Sequence, residues 1–364
     1  MSASPHETPR RLLHVFATFA VGGPQVRFCT LADRLGPGWH HDILAMDGNT
    51  ACRERLPASV SAGFPSLDIT KGDTLGNVRR FRRALLAWRP DLLVTYNWGS
   101  IEWAMANVFA RRPHVHIEDG FGPEERERQL PRRVLTRRLL LRRTTVAVPS
   151  LTLRRIATEQ WRLDPARVRY LPNGILLPRF AAGEASAWPG DGPVIGTVAA
   201  LRAEKNLARL LHAVALVRRD HRARLVIVGD GPERPALRAL ADTLGIADSV
   251  HFAGHSTDTA PAYRGFDIFA LSSDTEQMPL SVLEAMASGL PVAATDVGDV
   301  AAMLAAPNRP FVTALDAAAL AAALSTLLDR PELRRSIGAA NRARAARDYD
   351  EAAMLRGYAA LFGG

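Results

Sequence analysis

Two glutamates in the second half of the chain have the type and spacing expected of groups that bind ligand hydroxyls. Glu276 lies in a loop after a predicted strand, Ile268–Leu271, and Glu284 lies eight residues later in a short apolar helix, Ser281–Ala287. A carboxylate on such a helix is costly to bury without a partner. Paired hydroxyls, as on a ribose, are good partners because an ionised carboxylate is a strong acceptor. A capping or ion-pairing role would explain one glutamate alone.

Lys205 is a candidate for binding an anion. It is one of only two lysines, with Lys71, among 46 basic residues. We attribute the arginine bias to genomic base composition and give individual arginines little weight. Lys205 precedes a predicted helix, whose N-terminal end favours a phosphate. A solvated surface lysine is the structural alternative.

Two further segments could hold a ligand through the backbone. Gly229-Asp230-Gly231-Pro232 follows a strand and precedes a helix, and its glycines allow a ligand to approach closely. Tight β–α turns often have this composition, so the motif is weak alone. The start of the Glu284 helix at Leu280–Ser281 offers N–H groups that have no intrahelical partners.

The elements that must position these residues alternate between strands and helices along the chain. Such alternation predicts α/β domains with parallel sheets. We therefore predict two Rossmann-like, doubly wound domains facing a central cleft, with ligands at the carboxyl ends of the strands. The predicted parts are an N-terminal domain (1–180), a glycine- and proline-rich linker (181–193), a C-terminal domain (194–345) and a last helical segment (346–364) that packs back towards the N-terminal domain.

The composition excludes several classes of protein. With 364 residues, 47% hydrophobic and 23% charged, the chain is an ordinary globular protein and not a disordered, collagen-like or coiled-coil one. Two cysteines cannot form a disulfide framework, and they fit a reducing compartment. No apolar run reaches the ~18–20 residues of a membrane span. We interpret Arg10–Arg11 and the apolar residues after them as a first strand and not as a signal peptide.

The basic charge is concentrated in the first half of the chain. Residues 1–180 carry a net charge of +12 and residues 181–364 a net charge of −3. Eight arginines lie between Arg126 and Arg143. We expect four of them to guide an anionic acceptor or to rest against an anionic membrane: Arg132, Arg133, Arg137 and Arg138.

A solvated helix is the alternative for this basic stretch. Its arginine pairs recur every five residues and therefore spiral around a helix without forming one clean face. Nucleic acid is not expected as a partner, because no binding motif is present and aromatic residues are not interleaved with the arginines.

The region around the two glutamates resembles the signature of the family 4 retaining glycosyltransferases, which have the two-domain GT-B fold. The resemblance rests on Glu276-x7-Glu284 followed by Ala-Met-Ala-Ser-Gly-Leu-Pro-Val and Ala-Thr-Asp-Val-Gly. Supporting matches occur in the family's order along nearly the whole chain: Gly22-Gly23, Pro172-Asn173-Gly174-Ile175, Glu204-Lys205-Asn206 and Val228-Gly229-Asp230-Gly231-Pro232.

The resemblance implies a role for each matching residue. Glu276 would contact the donor sugar, and Glu284 would bind the ribose hydroxyls of the nucleotide. Lys205 would neutralise the donor diphosphate together with the backbone at Leu280–Ser281. The other donor-side positions are Gly22 and Gly23, which would close over the diphosphate, and Gly229, Gly231, Gly254 and His255, which would line the base pocket. Transfer would retain the anomeric configuration without a metal or other cofactor, and we assign no nucleophile or general base.

Three departures from the family pattern affect these roles. The Gly-Arg-Leu expected before the lysine loop is Ala199-Ala200-Leu201, which leaves Arg202 to reach the same phosphate. The histidine expected beside the donor sugar falls in His116-Ile117-Glu118-Asp119-Gly120. Alignment on the glycine favours Asp119, alignment on the strand end favours His116, and Glu118 is a further candidate for the sugar contact. Finally, the usual Gly-Gly is Gly298-Asp299, which adds a negative charge near the presumed cleft.

Together with these features, the resemblance implies a metal-independent, retaining glycosyltransferase that moves a sugar from a nucleotide-sugar to a glycan, lipid-linked or other anionic acceptor. It would serve cell-surface polysaccharide or glycolipid synthesis in the cytoplasm, as a peripheral protein at the inner face of the membrane. Two alternatives stay open. One is a sugar-nucleotide epimerase or hydrolase on the same fold. The other is a non-catalytic basic protein that binds membrane or nucleic acid through a degenerate enzyme core.

Overall fold

A computed structural model describes residues 9–125 and 128–363 of the protein. The chain forms two compact units. The first unit contains the residues up to Pro172 and those from Met354 onwards, and the second contains Asn173–Ala353. Both units are α/β structures, as predicted. Among the described residues, no helix is both long enough and apolar enough to cross a membrane.

The first unit is built on a parallel sheet that has seven strands in its described part. The strand order is β3-β2-β1-β4-β5-β6-β7. The strands are β1 (Arg10–Phe16), β2 (Trp39–Ala45), β3 (Ala62–Gly63), β4 (Leu92–Tyr96), β5 (His114–Ile117), β6 (Thr145–Val148) and β7 (Val168–Tyr170). The helices are α1 (Gly23–Leu35), α2 (Thr74–Trp88), α3 (Ile101–Ala110), α4 (Pro131–Leu140) and α5 (Leu151–Arg155), which a π-helical turn, Ile156–Gln160, continues.

The second unit contains a parallel sheet of six strands within residues 173–353, in the order β10-β9-β8-β11-β12-β13. The strands are β8 (Val194–Val198), β9 (Arg224–Val228), β10 (Val250–Gly254), β11 (Ile268–Leu271), β12 (Val292–Thr295) and β13 (Val312–Thr313). The helices are α6 (Leu177–Ala181), α7 (Leu207–Val217), α8 (Arg234–Thr243), α9 (Ala260–Arg264), α10 (Leu280–Ala287), α11 (Val300–Met303), α12 (Ala317–Asp329), α13 (Pro331–Asp348) and α14 (Glu351–Gly363), the last of which continues into the first unit.

The central strands of both sheets are apolar because helices cover them on both faces. In β1, Leu12, Val15 and Phe16 are at most 1% exposed, and the residues of β11 are buried throughout. The structure thereby confirms the predicted first strand, which ends at Phe16.

The strand order of the second sheet creates a ligand-binding position. β8 pairs with β9 on one side and with β11 on the other, so the chain winds in opposite directions from β8. The loops after β8 and β11 therefore flank the point at which the winding changes direction, where doubly wound sheets bind ligands. These two loops carry Lys205 and Glu276.

Residues 181–193 are not a linker between the units, contrary to the prediction. They belong to the second unit, where the guanidinium of Arg224 donates to the backbone carbonyls of Trp188, Pro189 and Gly192. The division between the units falls instead at Pro172–Asn173. A glycine- and proline-rich composition indicates the lack of a helix or strand. Residues 182–193 contain neither, yet hydrogen bonds hold them to the second unit.

The end of the chain returns to the first unit, but later than predicted. The second unit extends to Ala353 because α13 continues to Asp348, whereas the predicted boundary was residue 346. From Met354 onwards α14 packs in the first unit, where Tyr358 and Phe362 are at most 1% exposed in its core.

Candidate functional site

Lys205 and Glu276 form an ion pair where the winding of the second sheet reverses. Nζ of Lys205 lies 2.6 Å from Oε1 of Glu276, and Ser273 donates its hydroxyl to the same oxygen over 2.7 Å. The lysine side chain is 26% exposed and the glutamate side chain 11%. The structure thus brings together two candidate residues that lie 71 positions apart in the chain. The pair is partly shielded and still accessible to a ligand.

Side chains from α7 hold the two loops together. Asn206 caps α7 by accepting a hydrogen bond from the backbone N–H of Arg209, so Lys205 lies just before the helix begins. Arg209 donates to the backbone carbonyl of Ser272 over 2.8 Å and to the carboxylate of Asp274 over 2.7 Å. Because Ser272 and Asp274 belong to the loop after β11, these bonds fix the Glu276 loop against α7. The sequence analysis did not identify Arg209.

Glycines allow the loop after β9 to pack directly on the Lys205 loop. A Cβ at Gly229 would lie 1.9 Å from the carbonyl oxygen of Ala199, and one at Gly231 would lie 2.4 Å from that of Leu201. Gly229 also donates its N–H to the carbonyl of Gly254 over 2.7 Å. These three glycines therefore have a structural role in positioning the loops, beside the base-binding role that the resemblance implies.

Gly298 supports the Glu276 loop from the other side. Its φ is +56°, and a Cβ would lie 2.3 Å from the carbonyl oxygen of Glu276. The next residue, Asp299, donates its N–H to the carbonyl of Gln277 over 2.9 Å. The side chain of Asp299 is buried, so the extra negative charge in this sequence is not displayed to solvent.

Glu284 lies on α10 beside a buried tyrosine. Burial raises the pKa of Glu284 to about 7, while the Tyr263 hydroxyl and the Arg179 guanidinium act to lower this pKa. The hydroxyl of Tyr263 is fixed in place because its fully buried ring packs, at centroid distances of 5.6–5.9 Å, against three rings: Phe180, Phe266 and Phe269. Glu284 is thus a mostly buried carboxylate whose ionised form is destabilised by burial.

Tyr263 and Arg179 were missed by sequence reasoning. They lie on α9 and α6, and only the packing of these two short helices against α10 brings them to Glu284. No spacing along the chain signals that arrangement. The one available signal was the buried carboxylate itself, which required a partner of some kind.

The remaining donor-side candidates lie at loop ends of the second unit. α10 begins at Leu280 after Pro279, without a side-chain cap, and its first N–H groups, including that of Ser281, have no intrahelical partner. His255 and Arg202 are exposed. Within residues 9–125 and 128–363, the Arg202 side chain makes no hydrogen bond or ion pair. No such contact therefore holds Arg202 beside Lys205.

In the first unit, Gly22 lies in the loop after β1, directly before α1. The helix begins at Gly23, with Pro24 in its first turn. This helix also carries Arg27, whose guanidinium forms a two-pronged ion pair with the carboxylate of Asp119 at 2.7 and 2.9 Å. Burial opposes the charge of Arg27, but Asp119 outweighs that effect, and the pKa of Arg27 is raised. Asp119 is therefore engaged in a buried ion pair.

His116 and Glu118 are also buried and engaged. Nδ1 of His116 shares a hydrogen bond of 2.8 Å with the Thr95 hydroxyl, and Glu118 accepts from Nε of Arg137 over 3.2 Å. Both side chains are 0% exposed. In this structure neither side chain reaches the solvent, and Arg137 of α4 is in contact with the Glu118 carboxylate.

The four predicted patch arginines do not form one surface, contrary to the prediction. Arg137 is 0% exposed, and its two terminal nitrogens each lie 3.1 Å from a carboxylate oxygen of Glu125. Three aromatic rings enclose its guanidinium at 4.9–5.2 Å: Trp98, Phe121 and Trp161. Arg133 is 11% exposed and pairs with Glu124 and Glu125. Arg126, at the start of the basic stretch, lies outside the described residues.

The other two patch arginines lie on a distinct outward side of α4. Arg132 and Arg138 are exposed, together with Leu135 at 54% and Leu139 at 58%. Residues three or four positions apart share one helix face. We call Arg132, Leu135, Arg138 and Leu139 the outer face of α4. The sequence analysis did not identify this basic and apolar face, because it considered only the five-residue spacing of the arginine pairs.

Comparison with known proteins agrees with this architecture. A model described as Glycosyltransferase Family 4 matches residues 21–177, and one described as Glycosyl transferases group 1 matches residues 192–330. Over 311 residues the chain is 29% identical to the putative glycosyltransferase EpsF of Bacillus subtilis (strain 168), covering 80% of both chains. It is also 29% identical to a D-inositol 3-phosphate glycosyltransferase of Segniliparus rotundus, covering 76% of this chain and 68% of that protein.

A solved structure shares the fold over nearly its whole length. Anabaena HepE in complex with UDP-glucose matches with a TM-score of 0.76 at 19% identity, covering 97% of this chain and 99% of that chain. The fold and the matched family models define a glycosyltransferase with the GT-B fold. Within that class, the chain belongs to the family 4 glycosyltransferases.

Proposed function

We propose that the second unit binds a nucleotide-sugar and that the protein transfers its sugar, with retention of configuration, to an anionic acceptor. The observation that carries this proposal is the Lys205–Glu276 pair at the switch point of the second sheet, directly before the start of α10. A cation, a carboxylate and free helix N–H groups at one position match the charges and hydroxyls of a sugar diphosphate.

In the proposed reaction, the bond between the sugar C1 and the diphosphate oxygen breaks, and a bond from C1 to an acceptor oxygen forms. The acceptor hydroxyl releases its proton, and the diphosphate leaves with added negative charge. Lys205 and the N–H groups at Leu280–Ser281 would stabilise that charge, which is the role of a metal in other transferases. Glu276 would accept hydrogen bonds from the sugar, and Glu284 would accept them from the ribose.

A ligand screen followed by product analysis tests this proposal. Full-length protein is heated with UDP-, GDP-, ADP- and dTDP-sugars, and a ligand that binds only the folded state raises the melting temperature. HepE was crystallised with UDP-glucose, which places UDP-glucose first in the screen. Transfer requires an acceptor, whereas an epimerase changes the donor alone and a hydrolase releases free sugar. Turnover of the donor without any acceptor would therefore favour the alternatives.

Nucleotide-sugar binding should depend on pH because of Glu284. Its pKa of about 7 lies above the ordinary value of 4.5, so the folded protein carries the neutral acid at lower pH, and only the ionised form accepts both ribose hydroxyls. If only that form binds, affinity should rise roughly tenfold from about pH 6 to about pH 8. Calorimetric titration measures this, with Glu284→Gln as the control that should flatten the profile. A wild-type affinity independent of pH would contradict the role of Glu284.

For the acceptor side, we propose that the outer face of α4 rests on an anionic membrane. Exposed leucines beside arginines favour a lipid surface over a soluble polysaccharide. Burial of Leu135 and Leu139 in the membrane interface would stabilise the bound state. A membrane-bound or lipid-linked acceptor is then the class that this surface serves, at the cytoplasmic face of the membrane.

Neutralising this face should weaken membrane binding. Each arginine near an anionic bilayer contributes about 1 kcal/mol, so Arg132→Gln with Arg138→Gln should reduce partitioning roughly 30-fold. Sedimentation with vesicles of phosphatidylglycerol and phosphatidylcholine measures it. The matched control is Arg79→Gln with Arg82→Gln, which removes the same charge from exposed positions on α2. Equal losses in the two double variants would mean that only net charge matters.

A further inference from the structure

We infer that the Lys205–Glu276 ion pair opens and re-forms in each catalytic cycle, and that it makes the protein discriminate against the spent nucleoside diphosphate in favour of the intact nucleotide-sugar. This inference rests on the proposed function, and it adds a specificity role for Glu276 that is separate from contact with the sugar. The pair would occupy the lysine whenever the donor is absent.

Among the residues that the structure describes, Lys205 and Glu276 are each the sole ionic partner of the other. At 2.6 Å, Nζ of Lys205 is in direct contact with the Glu276 carboxylate. Within residues 9–125 and 128–363, neither side chain forms an ion pair with any other residue. The second contact of Glu276 is the neutral hydroxyl of Ser273. When Lys205 moves away, Glu276 therefore loses the only cation that is paired with it in the described part of the chain.

A bound diphosphate and Glu276 would compete for this lysine. If Lys205 turns to the diphosphate, Glu276 is left as a carboxylate that is 11% exposed, with a new anion close by. A charged group that loses its partner at a partly buried position is destabilised. The spent nucleotide offers Glu276 no compensation, because it has no sugar.

The intact donor would remove this penalty. Sugar hydroxyls can donate hydrogen bonds to Glu276 and replace the lysine, so the carboxylate stays satisfied while Lys205 binds the diphosphate. After transfer the sugar is gone, Glu276 recaptures Lys205, and the diphosphate is held less tightly. The same two residues would thus favour donor binding and product release.

Calorimetric titration of Glu276→Gln tests the inference. The probes are UDP with UDP-glucose, or GDP with GDP-mannose, whichever pair binds the wild type. Neutralising Glu276 should tighten binding of the nucleoside diphosphate roughly tenfold, because the competition for Lys205 is relieved. Binding of the nucleotide-sugar should be unchanged or weaker. In a Lys205→Met background, Glu276→Gln should lose its effect on the diphosphate.

Glu204→Gln is the matched control, because it removes the same charge one residue before Lys205 from a carboxylate that forms no ion pair with any described residue. It should leave the ratio of the two affinities unchanged. The inference is overturned if Glu276→Gln does not tighten diphosphate binding, or if it tightens both ligands equally. It is also overturned if Glu204→Gln has the same effect. Failure of every nucleotide to bind the wild type would overturn the proposed function as well.

Discussion

Replacement of Lys205 by alanine is expected to lower the rate of sugar transfer by roughly 10²- to 10³-fold, the usual cost of removing one group that stabilises charge in the transition state. The departing diphosphate gains negative charge as the bond to the sugar breaks. Lys205 is the lysine at the switch point of the second sheet, beside the start of α10. The loss should appear mainly in kcat, because the charge on the leaving group grows between the bound state and the transition state.

A transfer assay with labelled donor measures this effect, and the chain provides its own control. Lys71, the only other lysine, is exposed in the first unit, so Lys71→Ala should retain the wild-type rate. Lys205→Arg should recover part of the activity because it restores the charge in a different shape. If Lys205→Ala transfers sugar at the wild-type rate, Lys205 does not stabilise the diphosphate and the proposed role is wrong.

Replacement of Arg137 by methionine is expected to destabilise the first unit by about 3–5 kcal/mol, the cost of breaking a buried ion pair by removing one partner. Methionine keeps an apolar side chain among the aromatic rings but leaves Glu118 and Glu125 without this guanidinium. In the intact protein, burial acts to raise the pKa of Glu125, but hydrogen bonds and charge from Arg137 and Arg133 lower this pKa overall. The ion pair of Glu125 with Arg137 and Arg133 therefore stabilises the fold at pH values above the ordinary pKa of a glutamate. This contribution is lost as the pH falls below that range.

Urea unfolding followed by tryptophan fluorescence measures this loss, because five of the six tryptophans lie in the first unit. The penalty should shrink at about pH 4–5, where protonation neutralises unpaired carboxylates. Arg138→Met is the control one position along the same helix, and its exposed side chain should make it nearly neutral. A penalty for Arg137→Met as small as that of Arg138→Met would show that the buried network contributes little to stability.

The elements around the candidate donor-binding residues could be predicted from the sequence because each has a local cause. The predicted strand Ile268–Leu271 matches β11, and the predicted helix at Ser281 begins one residue earlier, at Leu280. A run of apolar residues ending in a polar loop defines a buried parallel strand without further information. Since carboxyl ends of parallel strands lie on one edge of a sheet, Lys205 and Glu276 could be placed on the same side before their contact was known.

The surroundings of Glu284 and of α4 depend on packing that no local pattern records. Tyr263 reaches Glu284 only because α9 and α10 pack together. In α4, the arginine pairs look equivalent along the chain, yet Arg137 is buried and Arg138 is exposed. That difference arises from Glu118, Glu125 and the aromatic enclosure, which come from several separate segments. An arginine can be buried only when all of these partners surround it. The number and spacing of arginines in a basic stretch therefore do not show which of them is buried.

The most direct test of the account is binding of a nucleotide-sugar by the wild-type protein and by Glu284→Ala, measured by calorimetric titration of the full-length chain. We predict that sugars of one nucleotide base bind the wild type and that the variant binds them at least tenfold more weakly, because two ribose hydroxyls lose a charged acceptor. Equal affinity in the two proteins, or no binding of any nucleotide-sugar to the wild type, would contradict a donor site built on the second unit.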